Sequence, residues 1–131
     1  MAFALGTDIR PVGLGDHKAF IRKVTLGATT AAGAVVALQS DGKWDPADGS
    51  TAALVALGVA VQGGGDGDSI DIVTYGPVKC VTGATPGSKI YIDDGGDAGE
   101  MTETAGALKA TIGYAETSEI VFVQPIPAAW A

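Results

Sequence analysis

The sequence predicts an all-β fold, a compact β-barrel or β-sandwich of about eight short strands, and three observations carry that expectation. The first is composition: 20 glycines and 12 threonines among 131 residues, with many Ala, Val and Ile, weaken helices and suit short strands joined by tight turns. The second is an internal repeat. The third is a set of Gly-Asp clusters, such as Gly63 to Asp68 and Asp93 to Asp97, of the kind that close hairpins.

The repeat is a strand-turn-strand phrase used twice. Gly27-Ala28-Thr29 precedes the apolar run Gly33 to Leu38, then Asp41-Gly42, Leu57-Gly58-Val59-Ala60, Ile70-Asp71-Ile72-Val73 and Pro77. Gly83-Ala84-Thr85 precedes Lys89 to Ile92, then Asp94-Gly95, Ile112-Gly113-Tyr114-Ala115, Ile120-Val121-Phe122-Val123 and Pro125. The offsets are 83 − 27 = 56, 95 − 42 = 53, 113 − 58 = 55 and 120 − 70 = 50, a pattern with small insertions rather than an identity. Two copies make a pseudo-symmetric β body, whereas a solenoid would need three or more.

Taken in order, residues 1–18 read as an extended N-terminal arm, because Pro11 and three glycines interrupt any apolar period. Residues 19–131 read as the β-barrel-like body. Strands are expected at Phe20 to Leu26, Ala34 to Gln39, Leu54 to Gln62, Ser69 to Tyr75, Val78 to Thr82, Lys89 to Ile92, Leu108 to Ala115 and Glu119 to Gln124. An Ala-rich helical turn over Thr51 to Leu57, capped by Ser50, is the alternative at one of these positions. The strand reading is preferred there. Both alternating sets from Leu54 to Val61 are apolar, as in a strand buried on two faces.

A chain of this length is one domain and buries about two-thirds of its extended surface on folding. It needs neither metal nor disulfide, and with Cys80 its only cysteine it cannot form an internal bridge. That usage suits a reducing compartment or indifference to redox. Met1 to Leu5 is too short for a signal core, and no run approaches the roughly 20 apolar residues that span a bilayer, so a soluble protein without a membrane partner is expected. The mean hydropathy of +0.29 is high for such a body and suggests apolar surface shared with other subunits.

The net charge of −7 is uneven. Residues 1–26 carry Arg10, Lys18, Arg22 and Lys23 against Asp8 and Asp16, 4 − 2 = +2, and the remainder carries 4 − 13 = −9. So acidic a body repels phosphate backbones and argues against a nucleic-acid partner. The basic lead suits an acidic protein surface, although so small an excess also arises by chance.

Reactive constellations are sparse. The single histidine, His17, stands in the arm without a second ligand at zinc spacing, and Cys80 is read as a small buried hydrophobe rather than a nucleophile. Gly63 to Gly67 has no following Lys-Ser or Lys-Thr, and Gly13-Leu14-Gly15 lacks the strand and helix of a dinucleotide fingerprint. The Gly-Asp clusters are read as solvated turns, with a calcium loop as the weaker alternative because EF-hand spacing is missing. No catalytic, cofactor or metal residue is assigned, and an enzyme is not expected. Aromatic residues make up 6% of the chain, fewer than a sugar platform wants, and Trp44 and Trp130 are read as core or packing residues.

Residues Leu54 to Pro77, reading Leu-Val-Ala-Leu-Gly-Val-Ala-Val and then Gly-Asp-Ser-Ile-Asp-Ile-Val-Thr-Tyr-Gly-Pro-Val, and Gly83-Ala-Thr-Pro-Gly-Ser-Lys-Ile-Tyr-Ile-Asp resemble a family of tailed-bacteriophage capsid decoration, or cement, proteins of otherwise unassigned domain function. The likeness covers Phe20 to Gln124. It implies a β-barrel-like body, usually a homotrimer, on the outer surface of an icosahedral virion, made in the host bacterial cytoplasm and clamping neighbouring major capsid protein subunits. It implies no catalytic residues. The partner contacts expected from the arm and the charge asymmetry are Phe3, Leu5 and Ile9 as apolar anchors, with Arg10, Lys18 and Arg22 against carboxylates. A head-surface module for host glycans or receptors is the rival, and it predicts an exposed aromatic patch. A small hydrolase, with His17, Cys80 or an Asp pair drawn together in a pocket, ranks third.

Overall fold

The computed structural model describes residues 5–11, 19–47, 56–93, 98–103 and 111–126. Ten strands follow in chain order: β1 (Leu5–Pro11), β2 (Phe20–Thr25), β3 (Val35–Leu38), β4 (Trp44–Pro46), β5 (Leu57–Ala60), β6 (Ser69–Val81), β7 (Lys89–Ile92), β8 (Met101–Thr102), β9 (Thr111–Ala115) and β10 (Ile120–Ile126). All strand pairings are antiparallel, and the described residues contain no helix. The sheet runs β4-β3-β5-β6-β10-β9-β7-β8 and curls strongly into a half-barrel, as the all-β expectation requires.

That order is palindromic because the sequence repeat is a structural repeat. In the first copy Val36 stands opposite Gly58 and Leu38 opposite Trp44; in the second Ile90 stands opposite Gly113 and Ile92 opposite Met101. The turns match bond for bond. Gly33 N–H donates to Ala60 C=O (2.7 Å) as Gly87 N–H donates to Ala115 C=O (2.8 Å). Ala34 N–H donates to Ala31 C=O (3.2 Å) as Ser88 N–H donates to Thr85 C=O (3.1 Å). Gly33 and Gly87 hold the same left-handed φ, 88° and 87°, which a glycine adopts without steric cost.

The two copies are spliced through β6. Its first half pairs with β2 and β5, and its second half with β1 and β10. Val78 opposite Val121 thus repeats Arg22 opposite Ile72, so β6 ends one copy and begins the next. Two separate strands were expected here, broken at Gly76-Pro77. The chain runs straight through instead, because the β2 ladder ends at Tyr75 and the β1 ladder begins at Val78, and Pro77 in the gap between them is a position where a missing N–H is tolerated.

Two apolar clusters fill the body. Val24, Leu26, Val36, Trp44, Ala60, Ile70 and Ile72 form one, inside the curl of the first copy. Gly27 N–H donates to Trp44 C=O (3.0 Å), and a parallel bridge joins Leu26 to Trp44, which draws β4 towards β2. The larger cluster lies between the copies, where Val35, Val59 and Val73 meet Val78, Ile90, Ile112 and Val121. Successive residues of β3 and β5 therefore serve different cores, and β5 is buried throughout, the two-faced strand anticipated from its sequence. The helical alternative over Thr51 to Leu57 lies outside the described residues except at its end, where Leu57 opens β5.

The arm needs a correction. Leu5–Pro11 is not a segment apart from the body but an irregular edge strand, with Leu5 opposite Val81, Arg10 opposite Lys79 and Pro11 opposite Val78. Ile9 packs against the larger core. The alternating Leu5, Thr7 and Ile9 suffice to add a strand once β6 offers an edge, an opportunity created by tertiary structure and invisible to local periodicity.

Candidate functional site: an aromatic stripe beside an open strand edge

On its outer face the sheet gathers four of the eight aromatic side chains of the chain into one stripe. Phe20 on β2 lies directly opposite Tyr75 on β6, with ring centroids 6.0 Å apart. Tyr75 meets Phe122 of β10 edge-on at 5.2 Å, and Phe122 stacks on Tyr114 of β9 at 5.3 Å with an interplanar angle of 14°. Neighbours of these residues, Val121, Val123, Gly113 and Ala115, are buried, so strand alternation turns Phe122 and Tyr114 outward. Phe20 is 67% exposed, Ile21 51%, Tyr75 44% and Tyr114 38%. Such a contiguous apolar strip marks an interaction surface more than an accident of composition.

The stripe ends at β2, which presents five exposed residues out of six. Among the described residues no strand pairs with the edge of β2 that faces away from β6. This edge is basic. Arg22 holds its guanidinium 5.6 Å from the centre of the buried Trp44 ring, a cation–π contact that keeps the head group at the surface while its stem covers apolar area. Lys23 stands opposite Asp71 on β6 and reaches it at 3.3 Å, an exposed pair that restrains more than it stabilises.

Of the residues expected to touch a partner, Arg22 lies in this surface, while Ile9 is committed to the core and Leu5 and Arg10 to the β1 ladder. Phe3 and Lys18 lie outside the described residues, as do His17 and Trp130. Trp44 is 4% exposed and is a core residue, one of the two roles foreseen for it. The stripe itself was missed. Its members come from positions 20, 75, 114 and 122, and only the register of three ladders brings them together.

The remaining candidates resolve into structure. Cys80 is fully buried, and desolvation pushes its thiol up to about 12, partly offset by a hydrogen bond from the Val121 backbone, so it has almost no thiolate near neutrality. In the first Gly-Asp cluster Asp68 Oδ2 accepts the Gly65 N–H (2.8 Å) and Asp66 Oδ1 lies 3.4 Å from Lys43 Nζ. Of the second cluster only Asp93 is described. Glu103 ties a turn of the second copy, accepting from the Thr85 N–H and from Ser88 Oγ (2.9 Å). These bonds, the backbone one foremost, hold its carboxyl below the usual carboxylate range. No family model and no curated protein matches the sequence.

Proposed function

We propose that the chain is a structural virion protein that binds the outer surface of a bacteriophage capsid and stabilises it by clamping neighbouring major capsid protein subunits. The observation that carries this reading is the exposed stripe from Phe20 to Tyr114 beside basic Arg22 on an otherwise acidic body. It supplies an apolar centre with a polar rim, the usual anatomy of a protein interface. The resemblance in Leu54 to Asp93 supports the same job, and burial of Cys80 removes the one thiol a hydrolase would use. A homotrimer would let several modest contacts act together through their high effective concentration.

Sedimentation with capsid shells assembled without the protein tests this. The intact chain should pellet with the shells, and the Phe20→Ser/Tyr114→Ser variant should pellet far less while melting at a similar temperature. An intact chain left in the supernatant removes the reading. Light scattering of the free protein and a map of decorated shells decide the trimer.

The glycan-binding alternative gains one specific observation, since an exposed aromatic patch was its discriminating feature. Tyr114 and Phe122 nevertheless spend a face on each other, which leaves less ring face for a pyranose than separated platforms would. Saturable binding to a glycan array, lost in the same variant, would favour this alternative.

A further inference from the structure

We infer that the open edge of β2 takes up an extended acidic segment of a partner protein as an additional antiparallel strand. For the identity of that partner, the capsid subunit, the inference rests on the attachment reading. The edge itself does not.

The internal repeat supplies the template. The second half of β6 is the structural counterpart of β2, and its outer edge carries an added strand, β1, antiparallel to it through Val81, Lys79 and Val78. Among the described residues this edge of β2 is closed only near its end, where Leu26 and Gly27 meet Trp44, and no counterpart of β1 pairs with Phe20 to Thr25. An edge bearing exposed Phe20 and Ile21 is a liability that proteins blunt unless something covers it. β2 has no proline, and its blunting devices, Arg22, Lys23 and the register shift between Phe20 and Ile21, guard against a like-charged strand rather than an acidic one.

Charge selects the occupant. An antiparallel pairing of two β2 strands about Arg22 and Lys23 sets cation against cation, which disfavours a second copy. An acidic strand sets carboxylates against both. Its residue beside Phe20 would also extend the aromatic stripe onto one more strand, so the two features form one continuous surface.

The test uses the full chain and a synthetic peptide with two adjacent glutamates between valines, so that a carboxylate falls on each face, with the corresponding valine-lysine peptide as control, read by amide exchange in NMR. In the free protein every second N–H from Phe20 to Thr25 should exchange rapidly, because alternate groups point to one edge. The acidic peptide should protect those amides saturably, the basic peptide should not, and Arg22→Gln/Lys23→Gln should weaken the effect roughly tenfold with an unchanged melting temperature. Three results overturn the inference: β2 amides already protected in the free monomer, protection that appears with protein concentration alone, or equal or absent responses to the two peptides. On undecorated shells the same amides should become protected. Shell binding that leaves them exchanging overturns the inference while sparing the attachment reading, and protection by peptide without shell binding does the reverse.

Discussion

Gly113 and Phe122 approach so closely that a β-carbon on the glycine would lie 1.8 Å from the Phe122 carbonyl oxygen. Gly113 also holds φ at 154°, within the region that favours glycine. Its counterpart Gly58 faces Val73, where the built β-carbon would be 3.0 Å from the carbonyl oxygen and 2.8 Å from Ile72 Cδ1. The Leu-Gly-Val-Ala and Ile-Gly-Tyr-Ala phrases thus repeat for a physical reason: each copy needs a side-chain-free position where its third and fourth long strands press together.

Gly113→Ala should therefore destabilise by about 3 kcal/mol or more, since the obstacle is backbone and cannot turn aside. Gly58→Ala should cost clearly less, because the nearest atom is the end of a side chain able to change rotamer. Urea denaturation of both variants measures the difference, and equal costs would contradict the account.

Glu103 makes stability depend on acid. Its folded-state pKa is lowered, so the stabilisation is present above the unfolded value of 4.5 and is lost as pH falls through the lower folded value. Glu103→Gln should be less stable than the parent near pH 7, with the gap narrowing well below pH 4.5. Melting temperatures across that window check the sign, and a gap that widens on acidification refutes it.

Cys80 should react with a thiol reagent only through opening of the body. With its thiol near 12 and no exposed surface, labelling at pH 8 should proceed orders of magnitude more slowly than for a free thiol and accelerate in step with urea. Rapid labelling in native buffer would place Cys80 at the surface.

Asp66 and Asp68 are engaged by Lys43 and by the Gly65 amide. Melts in calcium and in chelator should coincide, because a ligand bound only to the folded state raises stability by mass action. A rise of several degrees with calcium would mark a cation site in the Gly-Asp turns.

The repeat was legible because its signals are local: turn glycines at fixed spacing and apolar runs between them. One detail escaped. Ladder registers pair Val59 with Val73 and Tyr114 with Phe122, an offset of 122 − 73 = 49 against 114 − 59 = 55, whereas aligning Ile70 with Ile120 gives 50. One residue matters in a strand, since a slip of one exchanges its faces. β4 and β8 were missed because Trp44–Pro46 and Met101–Thr102 are too short to show a period. The aromatic stripe and the strand role of Leu5–Pro11 depend on long-range pairing to β6, which no local window contains.

β1 and β10 flank the second half of β6, each antiparallel to it, and so run parallel to one another with β6 between them. The chain enters β1 at Leu5, beside Val81, and leaves β10 beyond Val123, which faces Gly76 at the other end of that half. Tension applied through the two flanks therefore slides three strands lengthwise and loads both ladders at once, instead of unzipping them bond by bond. Under such a load a joint of this geometry fails late, because its resistance is set by how slowly the three strands shear and not by how tightly any single contact holds.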